Sequence, residues 1–189
     1  MKSPTFANGR LAAAFALGLL TICAGFPAFG QSATDDSLPQ PKLIIVDKSL
    51  PADQAQKSIH AARLFYAFWN TGETQFAKLA LAATFTDRTL PKGRPQGVGG
   101  PPFASRNFRQ AVPDLRCDIE QLIVAGDRVV AHLHFTGHFN GAFGKKRGAG
   151  QTIDFIATDI LCVQDGRITD NWHVEDNLTL MQQLGIVPP

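Results

Sequence analysis

The sequence predicts an α+β domain, because helical and strand patterns occupy different parts of the chain. Apolar residues recur at three- and four-residue steps in the first half, which is typical of helices that bury one face. From Cys117 onward, apolar runs alternate with short turns containing glycine and aspartate, which is typical of antiparallel hairpins. Helices followed by such a meander indicate a curved antiparallel sheet that wraps around the N-terminal helices.

The first helix has the clearest pattern of the chain. We expect Asp53 to cap its start and the turn-forming residues 70–72 to end it. Between these limits the apolar positions fall on one side at helical spacing. They are Ile59, Ala62, Phe65, Tyr66 and Trp69.

Two shorter helices are expected before the strands begin. Thr74 opens a second helix, which we expect to end near residues 85–90. A loop rich in glycine and proline follows, and the pair Pro101-Pro102 suits the start of another helix. The third helix is therefore expected over residues 103–111, where Pro113 follows its end.

Four strands form two hairpins in the second half of the sequence. Each hairpin turns at a glycine beside an aspartate, at residues 125–127 in the first and 164–166 in the second. The strands are expected over residues 119–124, 129–135, 153–163 and 167–174. A short helix over residues 178–184, stopped by Gly185, ends the pattern.

Residues 1–30 predict a secretory signal peptide. Two basic residues precede an apolar run that is short for a bilayer span, and small residues follow it. We therefore expect a periplasmic or secreted protein with no membrane segment in its mature form. Residues 31–51 are interpreted as a linker or N-terminal arm, and residues 52–187 as the folded domain.

Charge and cysteine content limit the possible partners. Two of the 18 Lys and Arg residues lie in the signal segment and none of the 16 Asp and Glu residues does, so the mature chain is neutral. Its basic cluster at residues 145–147 is too small for a nucleic-acid surface, and no nucleic-acid partner is expected. Cys117 and Cys162 are placed on strands that a hairpin partner separates, which keeps them beyond disulfide reach.

Three stretches of the second half, taken in order and spacing, resemble the SnoaL-like polyketide and ester cyclases. The first contains Arg109-Gln-Ala-Val-Pro-Asp-Leu115 with Ile119-Glu120, the second Ala125-Gly-Asp-Arg-Val-Val130 with Thr136-Gly137-His138, and the third Asp165-Gly-Arg-Ile168 with Trp172, Asp176 and Gln182-Gln-Leu-Gly185. The resemblance covers roughly residues 57–187, about the whole folded part.

The resemblance implies a nuclear-transport-factor-like cone, an α+β barrel that encloses an apolar cavity for a small hydrophobic molecule. It also implies chemistry without a cofactor, an intramolecular aldol ring closure assisted by an acidic residue near the last strand. A homodimer that pairs through the outer sheet face is expected in addition. Because the same scaffold hosts isomerases, dehydratases, epoxide hydrolases and plain binding domains, a non-catalytic ligand-binding domain is the alternative.

Asp176 is the leading catalytic candidate, because the spacing from the family's tryptophan places an acid there. A carboxylate that faces an apolar cavity has a raised pKa suited to proton transfer, although Asp176 could equally cap the terminal helix. His173 stands where the aclacinomycin-type cyclases carry an acid, and it could act as acid or base. Strand alternation puts Trp172 on the face of Asp176 and His173 on the other, which favours Trp172 as a pocket wall.

His132, His134 and His138 share one strand face by alternation. A His-x-His pair could hold a metal ion, so a cupin-like metal site at these residues is another alternative, although no second cupin motif follows. Neither a metal nor a cofactor is our main expectation. His138 is the third catalytic candidate, since it could orient a carbonyl oxygen or the leading acid, and it could equally be a hydrogen-bonded residue at a strand end.

Substrate contacts are expected from the aromatic face of the first helix, at Phe65, Tyr66 and Trp69, and from His134 and Trp172. Much of an aromatic helix face is ordinary core in most proteins, so only part of it is expected to meet a ligand. The sequence contains no nucleophile elbow, phosphate loop or Cys-His arrangement. Hydrolysis through a covalent intermediate is therefore not expected.

Overall fold

The computed structural model describes residues 37–188, so the predicted signal peptide lies outside the described residues. The helices are α1 (Ala52–Thr71), α2 (Thr74–Ala80), α3 (Gly100–Ala111) and α4 (Asn177–Gln183), with a short 3₁₀ turn at Gly97–Gly99. The strands are β1 (Ile44–Val46), β2 (Leu81–Asp87), β3 (Arg116–Ala125), β4 (Arg128–Phe139), β5 (Ala142–Phe143), β6 (Lys146–Arg147), β7 (Gln151–Gln164) and β8 (Arg167–Glu175). The predicted α+β class is confirmed.

Six of the strands form one sheet in the order β1-β3-β4-β7-β8-β2. The four central strands pair antiparallel, whereas β1 joins β3 and β2 joins β8 in parallel. Both predicted hairpins, β3–β4 and β7–β8, are confirmed. Cys117 and Cys162 lie on strands that β4 separates, and both thiols are buried and free.

The sheet wraps around α1, which contacts β3, β4, β7 and β8. Phe65, Tyr66 and Phe68 on this helix are each no more than 1% exposed. Burying a side chain of this size stabilises the fold by about 1.5–3 kcal/mol, so α1 is held mainly by its aromatic face. The helix ends where predicted, because Gly72 adopts a left-handed conformation (φ 80°) and its N–H donates to the carbonyl of Phe68 at 2.7 Å.

Two expectations about the helices are wrong. Pro51 occupies the N-cap position of α1, and Asp53 is the second residue of the helix, where its carboxylate pairs with Lys57 at 3.4 Å. Helix α2 ends at Ala80, and the next seven residues form the edge strand β2. A break in register between Leu81 and Thr86 interrupts the alternation of this strand, which is why its pattern is not visible in the sequence.

Residues 37–51, interpreted as a linker or N-terminal arm, pack against the rest of the domain, which a free linker would not do. Strand β1 pairs with β3, and Leu38 is buried in the core. The buried guanidinium of Arg63 on α1 donates to the carbonyl of Pro39 at 3.0 Å and to that of Leu38 at 3.1 Å. Within residues 37–188, no helix is long and apolar enough to span a bilayer.

Candidate functional site

A cavity of about 420 Å³ lies between the helices and the inner face of the sheet. Small-molecule sites in proteins span about 300–1,000 Å³, so the cavity has the size of a ligand site. Eight aromatic side chains line it: Phe65, Trp69, Phe85, Phe103, Phe108, Phe135, Phe143 and Phe155. Phe135 and Phe155 stack at 5.2 Å between ring centroids, and Phe108 meets Phe155 edge-on.

One wall of this cavity carries a connected group of polar side chains. The carboxylate of Asp159, which is 1% exposed, accepts a hydrogen bond from the Tyr66 hydroxyl at 3.0 Å. Its other oxygen lies 2.7 Å from Nδ1 of His173, and Nε2 of the same ring lies 3.3 Å from a Glu175 oxygen. Asp159, His173 and Glu175 all line the cavity, with Asn171 beside them. We call Tyr66, Asp159, His173 and Glu175 the polar wall.

The register of β7 and β8 brings the polar wall together. Asp159 and His173 are directly opposite each other in the antiparallel pair. An irregularity between Cys162 and Val163 shifts the register of β8, so His173 points inward with Asp159. The same shift turns Trp172 outward, where Arg88 and Arg128 lie 6.0 and 5.7 Å from its ring centre. The structure therefore contradicts the expectation that Trp172 lines the pocket, because that expectation counted strand alternation from Asp176, which caps α4 and does not line the cavity.

Burial alone would lower the pKa of His173, but Asp159 and Glu175 act in the opposite direction. Their negative charges and hydrogen bonds raise the pKa of the imidazole to about 10, so the ring is an imidazolium at neutral pH. Burial, followed by the charge and hydrogen bond of Asp159, raises the pKa of the Tyr66 phenol well above its usual value. The polar wall thus holds one cation between two carboxylates and a neutral phenol.

This arrangement predicts that unfolding becomes easier as the solution turns alkaline. A group whose pKa is raised by folding stabilises the native state fully below its unfolded pKa of 6.5, and the contribution is lost as the pH approaches 10. The stability difference between the wild type and His173→Gln should therefore shrink by on the order of 2 kcal/mol between pH 6 and pH 10. Urea unfolding of both proteins at the two pH values measures it, and a difference independent of pH contradicts it.

Asp176 does not lie among the residues that line the cavity. It caps α4, accepting from the Thr179 N–H at 3.1 Å and from the Thr179 hydroxyl at 2.7 Å. These hydrogen bonds from the side chain and backbone of Thr179 lower the pKa of Asp176. The expected raised pKa is therefore wrong, because the carboxylate faces a helix end and not an apolar cavity.

The three histidines of β4 lie apart from the cavity lining as well. His132 approaches the Thr158 hydroxyl at 3.4 Å, and His134 pairs with Asp154 at 2.7 Å, both on the face opposite the core. Nδ1 of His138 lies 2.6 Å from an Asp114 oxygen. Neither His134, which was expected to contact the substrate, nor His138, which was a catalytic candidate, lines the cavity. Among residues 37–188, no three His, Cys, Asp or Glu side chains are arranged to hold a metal ion.

Phe65 and Trp69 do line the cavity, and Tyr66 joins its wall through Asp159. Sequence reasoning missed Asp159, Asn171 and Glu175. A signal for Asp159 exists, since it occupies the inward parity of β7, between Ala157 and Leu161. A charged residue in the buried phase of a strand needs a partner, and that need marks a candidate site.

Known proteins resemble this chain in sequence and in structure. Residues 59–184 match the family model of SnoaL-like polyketide cyclases. A candidate polyketide cyclase from Bacillus cereus is 48% identical, with a TM-score of 0.74 over 83% of this chain and 99% of that one. IdmH from Streptomyces antibioticus, also a candidate polyketide cyclase, is 20% identical, with a TM-score of 0.62 over 68% and 98%. A Catenulispora acidiphila protein with a ketosteroid isomerase-like fold is 18% identical, with a TM-score of 0.53 over 67% and 93%.

No protein of curated function matches the sequence. A curved sheet closes with helices over the cavity, and this α+β arrangement is the ketosteroid isomerase-like fold. The family-model match over residues 59–184 identifies the family as well as the fold: the chain belongs to the SnoaL-like polyketide cyclases. The family resemblance drawn from the sequence is confirmed.

Proposed function

We propose that the protein is a cofactor-independent enzyme that moves protons on a small carbonyl compound held in the aromatic cavity. The observation that carries this proposal is the chain Asp159–His173–Glu175, three charged groups in contact on the wall of a cavity lined by eight aromatic rings. Charged groups in such surroundings interact strongly, because little water screens them.

The His173 imidazolium is suited to stabilising an enolate. Asp159 holds Nδ1 of His173 at 2.7 Å, which fixes the ring and leaves Nε2–H directed towards Glu175. The contact with Glu175 is longer, at 3.3 Å, so a substrate carbonyl oxygen can take its place as the acceptor. The imidazolium then stabilises the negative charge that develops on this oxygen.

Glu175, released from His173, supplies the base. Its carboxylate removes a proton from the carbon next to the carbonyl, and the resulting enolate carbon attacks a second carbonyl of the same molecule. A carbon–carbon bond forms, and the new alkoxide takes back the proton that Glu175 carries. The net reaction of these steps is an intramolecular aldol ring closure that needs no external reactant. This is the reaction that the family resemblance implies.

The first half of this reaction can be tested without the natural substrate. Wild-type protein in D₂O is expected to catalyse deuterium exchange of the α-protons of acetophenone or 4-phenyl-2-butanone. Proton NMR measures the exchange as the loss of the α-proton signal. Glu175→Gln should lower the rate by about 10²-fold, since it removes the base. Glu120→Gln is the control, because Glu120 pairs with Lys42 at 2.6 Å and does not line the cavity.

A ligand-binding domain without catalysis is the second candidate. It is favoured by one observation: both ring nitrogens of His173 already face carboxylates, so a ligand must displace Glu175 before it meets the imidazolium. Binding of either ketone by calorimetry without any α-proton exchange would support this candidate over the enzyme. We further propose that the protein acts in the periplasm or outside the cell, on the basis of its signal-peptide pattern.

A further inference from the structure

The loop between β2 and α3 brings two cationic side chains to the lining of the aromatic cavity. They are Lys92 and Arg94, and within the described part of the chain no other lysine or arginine lines this cavity. Lys92 and its neighbours Pro91 and Gly93 are exposed, so the loop lies where the cavity opens to solvent. We call Lys92 and Arg94 the cationic rim. Neither residue belongs to the polar wall.

The guanidinium of Arg94 has hydrogen-bond donors that are accessible and unused. Its side chain is 25% exposed, and its one ion pair within the described residues is a long contact of 3.5 Å between Nη1 and an oxygen of Asp87. The buried side-chain atoms without a partner in this part of the chain belong to Ser105, Arg109 and Asn171 alone. The Arg94 nitrogens are therefore open to solvent or to a ligand. A guanidinium carries five N–H donors in a planar fork that fits a carboxylate.

The charges that line the cavity are divided between two places. At the cationic rim, Arg94 pairs with Asp87, and the ammonium group of Lys92 forms no ion pair with any described residue. Asp87 also accepts a hydrogen bond from the Thr89 N–H at 2.9 Å. The rim therefore has an excess of one positive charge. The polar wall has an excess of one negative charge, because its two carboxylates surround a single imidazolium.

This division of charge favours an anion at one end of the cavity and disfavours it at the other. Guanidinium groups bind carboxylates through paired N–H···O hydrogen bonds, and a nearby ammonium group adds a point charge. A carboxylate beside the polar wall would instead meet two like charges. A ligand with one carboxylate is therefore oriented, with its acidic group at the rim and its other end towards His173.

We propose that Arg94 and Lys92 form a carboxylate-binding subsite at the opening of the cavity. The substrate is accordingly a carbonyl compound that also carries a carboxylate, rather than a neutral ketone or ester. This inference deepens the proposed function and rests on it for the carbonyl group and its reaction, but carboxylate binding itself does not require turnover.

Calorimetry with two matched ligands tests the proposal at neutral pH. 4-Acetylbenzoate and 4-acetylbenzamide share the same aromatic ketone and nearly the same shape, but only the first carries a negative charge. Wild-type protein is expected to bind 4-acetylbenzoate about tenfold more tightly, since charge-assisted hydrogen bonds are stronger than neutral ones. Equal affinity for the two ligands, or no binding of either to folded wild-type protein, overturns the proposal without any variant.

Methionine variants of the rim identify the groups that bind the carboxylate. Lys92→Met should lower the preference for 4-acetylbenzoate by about threefold, because water and salt screen an exposed charge, and Arg94→Met should bring it close to one. Lys48→Met is the matched control and should keep the preference, because Lys48 is an exposed lysine in the turn before α1 and does not line the cavity. A full preference in the double variant Lys92→Met/Arg94→Met, or its loss in Lys48→Met, refutes the role of the rim.

A variant that conserves the charge separates recognition from damage to the loop. Arg94→Met leaves Asp87 without its cation, so its affinity for neutral 4-acetylbenzamide must stay within about twofold of the wild type to show an intact cavity. Arg94→Lys should retain a preference of about threefold or more, because the charge remains. Should Arg94→Met bind neither ligand, a reduced preference in Lys92→Met with a retained one in Arg94→Lys supports the subsite, and an unchanged preference in Lys92→Met refutes it.

These outcomes are distinct from those of the exchange experiment. A carboxylate preference that depends on Arg94, in a protein that exchanges the α-protons of neither ligand, refutes the enzymatic proposal and leaves the subsite intact. Exchange of the acetyl protons with equal affinity for the two ligands refutes the subsite and leaves the proton chemistry standing.

Discussion

Replacing Asp159 by asparagine is expected to lower α-proton exchange by about 10²-fold or more at neutral pH. The amide keeps the shape of the carboxylate and can still accept from the Tyr66 hydroxyl, so the fold should persist. It removes the nearer of the two negative charges that raise the pKa of His173. A larger fraction of the imidazole is then neutral, and it stabilises an enolate less well. Exchange rates by NMR, together with a titration of ¹³C-labelled histidine, measure both effects.

The chain provides a matched control on the same strand. Asp154 pairs with His134 at 2.7 Å, the same distance as the Asp159–His173 contact, but it lies on the opposite face of the sheet. Asp154→Asn should leave exchange within about twofold of the wild type, as expected of a surface change. A wild-type rate and an unchanged His173 titration in Asp159→Asn would show that the Asp159–His173 pair is not the proton-transfer centre.

The second large effect is expected from Gly141→Ala, which should destabilise the protein by about 3 kcal/mol. A Cβ at this position would overlap the backbone carbonyl oxygen of Gln110 and lie 2.9 Å from its carbon. The approach is close because the Gly141 N–H donates to the carbonyl of Ala111 at 2.9 Å, which ties the loop to the end of α3. Backbone atoms cannot move aside as a side chain can, so the loop must shift. Urea unfolding at constant pH measures the loss.

The effect should extend to the cavity, because this loop leads into β5 and its Phe143 lines the cavity. Gly99→Ala is the control, since nothing lies within 4 Å of a Cβ there and its φ of −80° suits alanine. This control should change stability by less than about 1 kcal/mol. Equal stabilities of the two alanine variants would contradict the proposed role of close packing at Gly141.

The elements that sequence reasoning found are those with a strong internal period. Helix α1 and the hairpins β3–β4 and β7–β8 combine regular apolar spacing with turns at Gly126 and Gly166, both of which adopt positive φ. The edge strands β1 and β2 were missed, because an edge strand is short or irregular and pairs on one side only. Their existence depends on partners far away in the chain.

The site was predicted less well than the fold, for a geometric reason. Strand alternation was counted from Asp176 on the assumption that this residue faces the cavity, but Asp176 lies beyond the end of β8 and caps α4, so the faces assigned to Trp172 and His173 were exchanged. The contact between Tyr66 and Asp159 could not be predicted either. These residues are 93 positions apart in the chain and meet only when α1 packs on β7. The inward parity of Asp159 was the signal within reach of sequence reasoning.

The contact between Arg63 and the segment before α1 bears on how the domain is produced in the laboratory. A recombinant protein trimmed to begin at Ala52, the boundary that periodicity suggests, would lose the Leu38 and Pro39 carbonyls that accept from the guanidinium. It would also lack β1, so the backbone N–H and C=O groups of β3 at this edge of the sheet would be unpaired and free to pair with another molecule. Expression plasmids should therefore retain residues 37–51, since without them insolubility would be an artefact of trimming.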